Sequence, residues 1–186
     1  MSNYDYDEYV TKFSDSFKRV RIDEEYVLKI KDFAKRLSDA KAREPHHLID
    51  YGQELKRFTT GLLGEAALEK LFGITIIDWT IGDSPDYHFP DIPGHTVGVK
   101  TVERGKFPVI FKKNKYPQII CIRSDYMENL VFVCGLADVE VLNRCQDDEL
   151  ILSPNLRRRG TKTGFWGFQF LTPINSLEDL SRYKKR

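Results

Sequence analysis

Ser84-Pro85-Asp86-Tyr87-His88-Phe89-Pro90-Asp91-Ile92-Pro93-Gly94-His95-Thr96-Val97-Gly98-Val99-Lys100 reads as two extended runs around a turn marked by proline and glycine. With Ile92-Pro93-Gly94 as a three-residue loop, Asp91 pairs with His95. Counting back sets Phe89 opposite Val97, His88 opposite Gly98 and Asp86 opposite Lys100. Alternate strand residues share a face, so Asp86, His88, Gly98 and Lys100 fall on one side. Tyr87, Phe89, Val97 and Val99 form an apolar face on the other. A two-residue loop would part Asp86 from Lys100, so this register is a condition of everything built on it. An acid and an amine converging across neighbouring strands suit a Mg²⁺ site for phosphodiester hydrolysis. Carboxylates hold the hard ion, which lowers the pKa of a bound water, and a lysine beside it orients the attacking water or takes its proton.

Upstream, Tyr26, Val27, Ile30, Phe33, Ala34 and Leu37 recur at helical steps between Asp23 and Arg43, and Pro45 stops the pattern. A second helical region runs from Leu48 to Phe72. Its break is expected at Thr59-Thr60-Gly61, with Thr59 or Thr60 capping the second half and Gly73 ending it. Glu65 sits in that half between Gly64 and Ala66-Ala67, and small neighbours let a helix pack closely on a sheet. Downstream, 74–79, 86–89, 96–102, 108–111, 118–123 and 130–134 read as strands of an antiparallel meander on one sheet. A short helix over 138–144, a late strand over 164–171 and terminal helical turns over 176–183 complete the pattern.

Composition supports a globular domain, with 41% apolar and 31% charged residues among 186. No apolar run approaches the length of a membrane span and the N-terminus is acidic, which points to the cytoplasm. Cys121, Cys134 and Cys145 suit reduced core thiols better than disulfides or zinc ligands. Ser14, Ser124 and the cysteines lack a base partner nearby, so nucleophilic catalysis is not supported. The net charge of +1 hides two basic clusters: Arg104, Lys106, Lys112, Lys113 and Lys115 follow Lys100 in the chain, and Arg157-Arg158-Arg159 stand near Lys162. Such an asymmetric surface attracts a polyanion, and Phe111 and Tyr116 among the lysines could stack on bases.

On Gly64-Glu65, Ser84-Pro85-Asp86 and Val97-Gly98-Val99-Lys100-Thr101, followed by the strand pair 118–123 and 130–135, the chain resembles the PD-(D/E)XK, or restriction-endonuclease-like, nuclease superfamily. The resemblance covers residues 61–142 and implies an α-β-β-β-α-β core, Mg²⁺-dependent cleavage with Mn²⁺ able to substitute, DNA as substrate and a homodimer. It makes Asp86 and Glu65 metal ligands and Lys100 the catalytic lysine. The departure is Gly98, which stands where the family has a second acid. His88, Asp91 and Glu103 are the accessory groups considered for the vacated place; the favoured repair is Glu65 with the Val99 carbonyl and waters.

The expected fold is therefore α/β (α+β): a central mixed sheet flanked by helices, with residues 1–45 as a helical extension and 46–186 as the nuclease-like domain. The expected function is that of a Mg²⁺-dependent DNA endonuclease. The alternative is a nucleic-acid-binding or assembly module that kept the fold and lost catalysis with the acid at Gly98.

Overall fold

The structure, a computed structural model, describes residues 4–43, 50–81 and 90–185. Helix α1 (Tyr6–Tyr9) and strand β1 (Lys18–Arg21) precede α2 (Glu24–Ala42), whose Val27, Ile30, Phe33 and Ala34 form the buried stripe that the periodicity marked. Helix α3 (Tyr51–Phe72) is continuous, without the expected break at Thr59-Thr60-Gly61. Thr59 caps nothing; its hydroxyl donates to the Leu55 carbonyl at 2.8 Å inside the helix. Asp50 is the cap, accepting from the Gln53 N–H at 3.1 Å, and Gly73 closes the other end at φ 68°.

The strands β2 (Gly98–Glu103), β4 (Gln118–Arg123) and β5 (Leu130–Ala137) join β1 in a sheet of order β1-β5-β4-β2. The expected antiparallel meander on one sheet is not found, because β2 and β4 are parallel neighbours. Parallel strands need a crossover, and β3 (Val109–Phe111) lies in it. It pairs with β7 (Lys162–Phe165), which pairs with β6 (Gln146–Asp147), in a second small sheet. Helices α4 (Val139–Arg144), the expected short helix, which Asp138 caps, and α5 (Pro154–Arg159) flank that sheet in the chain. The late strand ends at Phe165, not Leu171, and the terminal turns over 177–183 are a 3₁₀ helix with a capping box at Ser176.

Alternation along the central strands builds two cores. Ile119, Cys121, Val131 and Val133 face α2 and α3, whereas Ile120, Ile122, Phe132 and Cys134 face the second layer with Val141, Leu142, Phe165 and Phe168. All three cysteines are buried and unpaired, and burial pushes the Cys121 thiol up. Residues expected as a separate extension supply β1, paired with β5, and α2, packed in the core beside α3. Segment 74–79, expected as a strand, pairs with no strand among the described residues. Its amides are taken instead by a helix side chain: Glu69 Oε1 accepts from Ile76 N at 2.8 Å and Ile77 N at 2.9 Å. No described helix is long and apolar enough to cross a membrane.

Candidate active site

Small residues bring α3 against β2. A Cβ added to Gly64 would lie 1.7 Å from Thr101 Oγ1, so only glycine permits this approach. The next residue, Glu65, is thereby carried to the margin of the sheet. Burial pushes its carboxyl up to about 8, and the negative charges of Asp91, Glu69 and Asp78 add to the shift.

The turn before β2 differs from the expected one. Ile92 N donates to the Val97 carbonyl at 3.1 Å and His95 N to the Ile92 carbonyl at 3.1 Å, so Ile92 faces Val97 and Asp91 does not pair with His95. The three-residue loop from which Asp86 was counted opposite Lys100 is absent. Asp86 and His88 themselves, like the expected strand over 86–89, lie outside the described residues. Asp91, considered only as an accessory group, is instead at the centre. Its Oδ2 accepts from the Val99 N–H at 2.5 Å.

Gly98 N donates to the Pro117 carbonyl on the β4 side, so Val99 presents its N–H, and with it its carbonyl, to the edge of β2 away from β4. Asp91 is open to solvent on one side and crowded by protein on the others. Burial raises its pKa, opposed by the Val99 N–H and the Lys100 charge. Lys100 is held below the ordinary lysine value by burial first, then by Lys162 and Arg57, with Asp91 opposing. Asp91, at the Val99 edge, is thus the group common to both: its charge acts on Glu65 and on Lys100.

Glu103 does not join them. Three residues from Lys100 on one strand, it points to the opposite face. There, although burial works against it, Lys106 and Lys56 hold its carboxyl below the usual range, with Lys56 Nζ at 2.7 Å.

The basic residues expected to bind nucleic acid divide. Lys106 is paired with Glu103, Lys112 with Asp148 at 2.6 Å, and Arg104 loosely with Asp125 at 3.9 Å. Arg157 is structural, donating to the Ile151 and Glu149 carbonyls at 2.7 and 2.8 Å. Exposed Lys113, Lys115, Arg158 and Arg159 have no carboxylate partner among the described residues. Lys162 stands over exposed Phe111, 5.3 Å from its ring centroid, and is lowered by burial, then by Arg57 and Arg159.

Arg57 completes this cationic group, and sequence reasoning passed over it. It lies two helical turns before Glu65 on α3, about 12 Å along the axis, which is the signal that would have found it. Buried Glu54 holds it through Oε1 at 2.5 Å.

Could these residues hold a metal? Among the described residues no group of three His, Cys, Asp or Glu side chains gathers. What does gather is a hard-oxygen pair, Glu65 and Asp91, beside a strand-edge carbonyl. Both carboxyls are raised by burial, and a divalent cation would offset that cost. This donor set fits Mg²⁺, which keeps several waters. No protein-family model, curated protein or solved structure matches the chain.

Proposed function

We propose that the chain is a Mg²⁺-dependent nuclease with a restriction-endonuclease-like core, in which Asp91 takes the role that the sequence pattern suggested for Asp86. The observation that carries the reading is the position of Asp91. It is anchored by the Val99 amide on the edge of β2 away from β4 and lies within electrostatic reach of Glu65 on one side and Lys100 on the other. Asp91 and Glu65 would hold the ion, with the Val99 carbonyl on the same edge. The bound ion would supply charge neutralisation at phosphorus and a more acidic water.

The remaining chemistry belongs to the chain. Lys100, with its pKa lowered by burial, can take a proton from the attacking water or orient it by hydrogen bonding. Arg57, Lys162 and Arg159 supply positive charge where a phosphodiester backbone would pass, and exposed Phe111 offers a ring to a base. DNA as the substrate, and a pair of copies as the cutting unit, rest on the family resemblance alone. A second reading, a binding module without catalysis, is favoured by Gly98 and by the lack of a third ligating side chain among the described residues.

The test is incubation of plasmid, single-stranded DNA and RNA with purified protein in Mg²⁺, Mn²⁺ or EDTA. Metal-dependent cutting that Asp91→Asn and Lys100→Ala each reduce by at least about a hundredfold supports the enzyme. Loss of cutting in Asp86→Asn with Asp91→Asn intact would return the role to Asp86. DNA bound but uncut under every metal would establish the module.

A further inference from the structure

Gly98 leaves room, and the structure shows what occupies it. In the parallel pairing of β2 with β4, Gly98 lies beside Gln118. A Cβ added to Gly98 would lie 2.5 Å from Gln118 Oε1, 2.6 Å from Nε2 and 2.8 Å from Cδ. All three atoms of the amide are therefore folded over the glycine, in the volume where a side chain at position 98 would begin. That volume faces the same side of β2 as Lys100. Asp91 is held to both neighbours of Gly98 in the chain: Ile92 N, next to it, donates to the Val97 carbonyl, and its own carboxylate accepts from the Val99 N–H. The amide itself is not consumed by the fold, since it makes no hydrogen bond among the described residues.

We propose that Gln118 replaces the carboxylate missing at position 98, its amide oxygen serving the metal site that Asp91 and Glu65 begin. This rests on the nuclease reading above and names a residue that reading lacks. An amide oxygen is a hard, neutral donor of the kind that Mg²⁺ and Ca²⁺ accept, and rotation about the last side-chain bond can turn the oxygen toward the ion. The exchange of acid for amide lowers the negative charge of the site by one. It also explains why position 98 is glycine. Gln118 can reach across only if nothing projects there, so the glycine and the glutamine form one device on two strands.

The test is calorimetric titration of the metal-free protein with Mn²⁺, alongside thermal melting without metal. Gln118→Glu restores the charge and is expected to tighten Mn²⁺ binding about tenfold, and Gln118→Leu, similar in shape without an oxygen, to weaken it about tenfold. Gly98→Ala is expected to displace the amide and weaken binding although Gln118 is retained. In each case the melting temperature without metal shows that the chain is folded. If Gln118→Leu and Gln118→Glu both bind Mn²⁺ like the parent chain while Asp91→Asn does not, Gln118 has no such role and the nuclease site stands. If Asp91→Asn also binds unchanged, or the parent chain shows no saturable Mn²⁺ binding, the underlying reading falls with it.

Discussion

Gly64→Ala is the sharpest probe of how the helix acid reaches the sheet. The new Cβ would lie 1.7 Å from Thr101 Oγ1, 2.8 Å from Thr101 Cβ and 2.9 Å from Cγ2. Rotating Thr101 about χ1 costs no hydrogen bond, because its buried hydroxyl has no partner among the described residues. Rotation does not help, however, because the Cβ at 2.8 Å is fixed by the backbone of β2. Helix α3 must therefore move away from the strand. At contacts this short, overpacking costs about 2–3 kcal/mol, the upper part of its usual range, and alanine in a helix interior returns about 1 kcal/mol over glycine. The net expectation is a loss of about 1–2 kcal/mol, or about 3–6 °C in melting temperature for a chain of this size.

The partner variant is Thr101→Gly, which removes the obstructing atoms. In a urea-unfolding cycle the double variant should be more stable than the two single effects predict by at least about 1 kcal/mol. Moving α3 also moves Glu65, so Gly64→Ala should weaken Mn²⁺ binding in proportion. A Gly64→Ala chain as stable as the parent, or strictly additive single effects, would refute the claim that contact between α3 and β2 positions the carboxylate.

The raised pKa of Glu65 makes stability depend on pH. With an ordinary value of 4.5 unfolded and about 8 folded, the native state binds the extra proton between those limits. The metal-free protein should therefore lose stability as pH rises from about 4.5 to about 8, a trend that Glu65→Gln should flatten in melting curves. Mn²⁺ affinity should rise over the same window, since the metal competes with that proton. Glu69→Ala should destabilise the fold by about 3 kcal/mol in urea titrations, because Glu69 accepts from Ile76 N, Ile77 N and the Tyr26 hydroxyl at once. Arg57→Ala and Lys162→Ala should each reduce the salt slope of nucleic-acid binding by about one, measured by fluorescence anisotropy across a salt series. Arg157→Ala should lower the melting temperature and leave that slope unchanged.

Local pattern carried a good deal of this chain. The apolar steps of α2, the glycine at the end of α3 and the aspartate before α4 are readable because each concerns residues a turn or less apart. Strand existence over 98–103, 109–111, 118–123 and 130–137 was readable for the same reason. Partner choice was not. Whether β3 lies in the main sheet or pairs with β7 depends on residues about fifty positions away. The short β1, within the expected helical extension, is a strand because β5 pairs with it. The paired Lys112 and the structural Arg157 looked identical in sequence to the cations that remain open, because the partner of one is distant and those of the other are backbone carbonyls.

For the candidate site, composition and spacing alone determined the donor types: an acid on a helix among small residues, Pro-Asp pairs before a turn, and a lysine ending an apolar run. Pro90-Asp91 is itself such a pair, five residues after Pro85-Asp86, so the sequence contained both candidates. Tertiary structure decided that Asp91 is the acid held at the β2 edge, through the bond of Ile92 N to the Val97 carbonyl and the Val99 amide on its carboxylate. It likewise brought Gln118 over Gly98 and Arg57 toward Lys100. The reason is physical: side-chain type is a property of one residue, but the convergence of charges is set by register, crossover and helix-to-sheet distance, which depend on parts of the chain far apart in sequence.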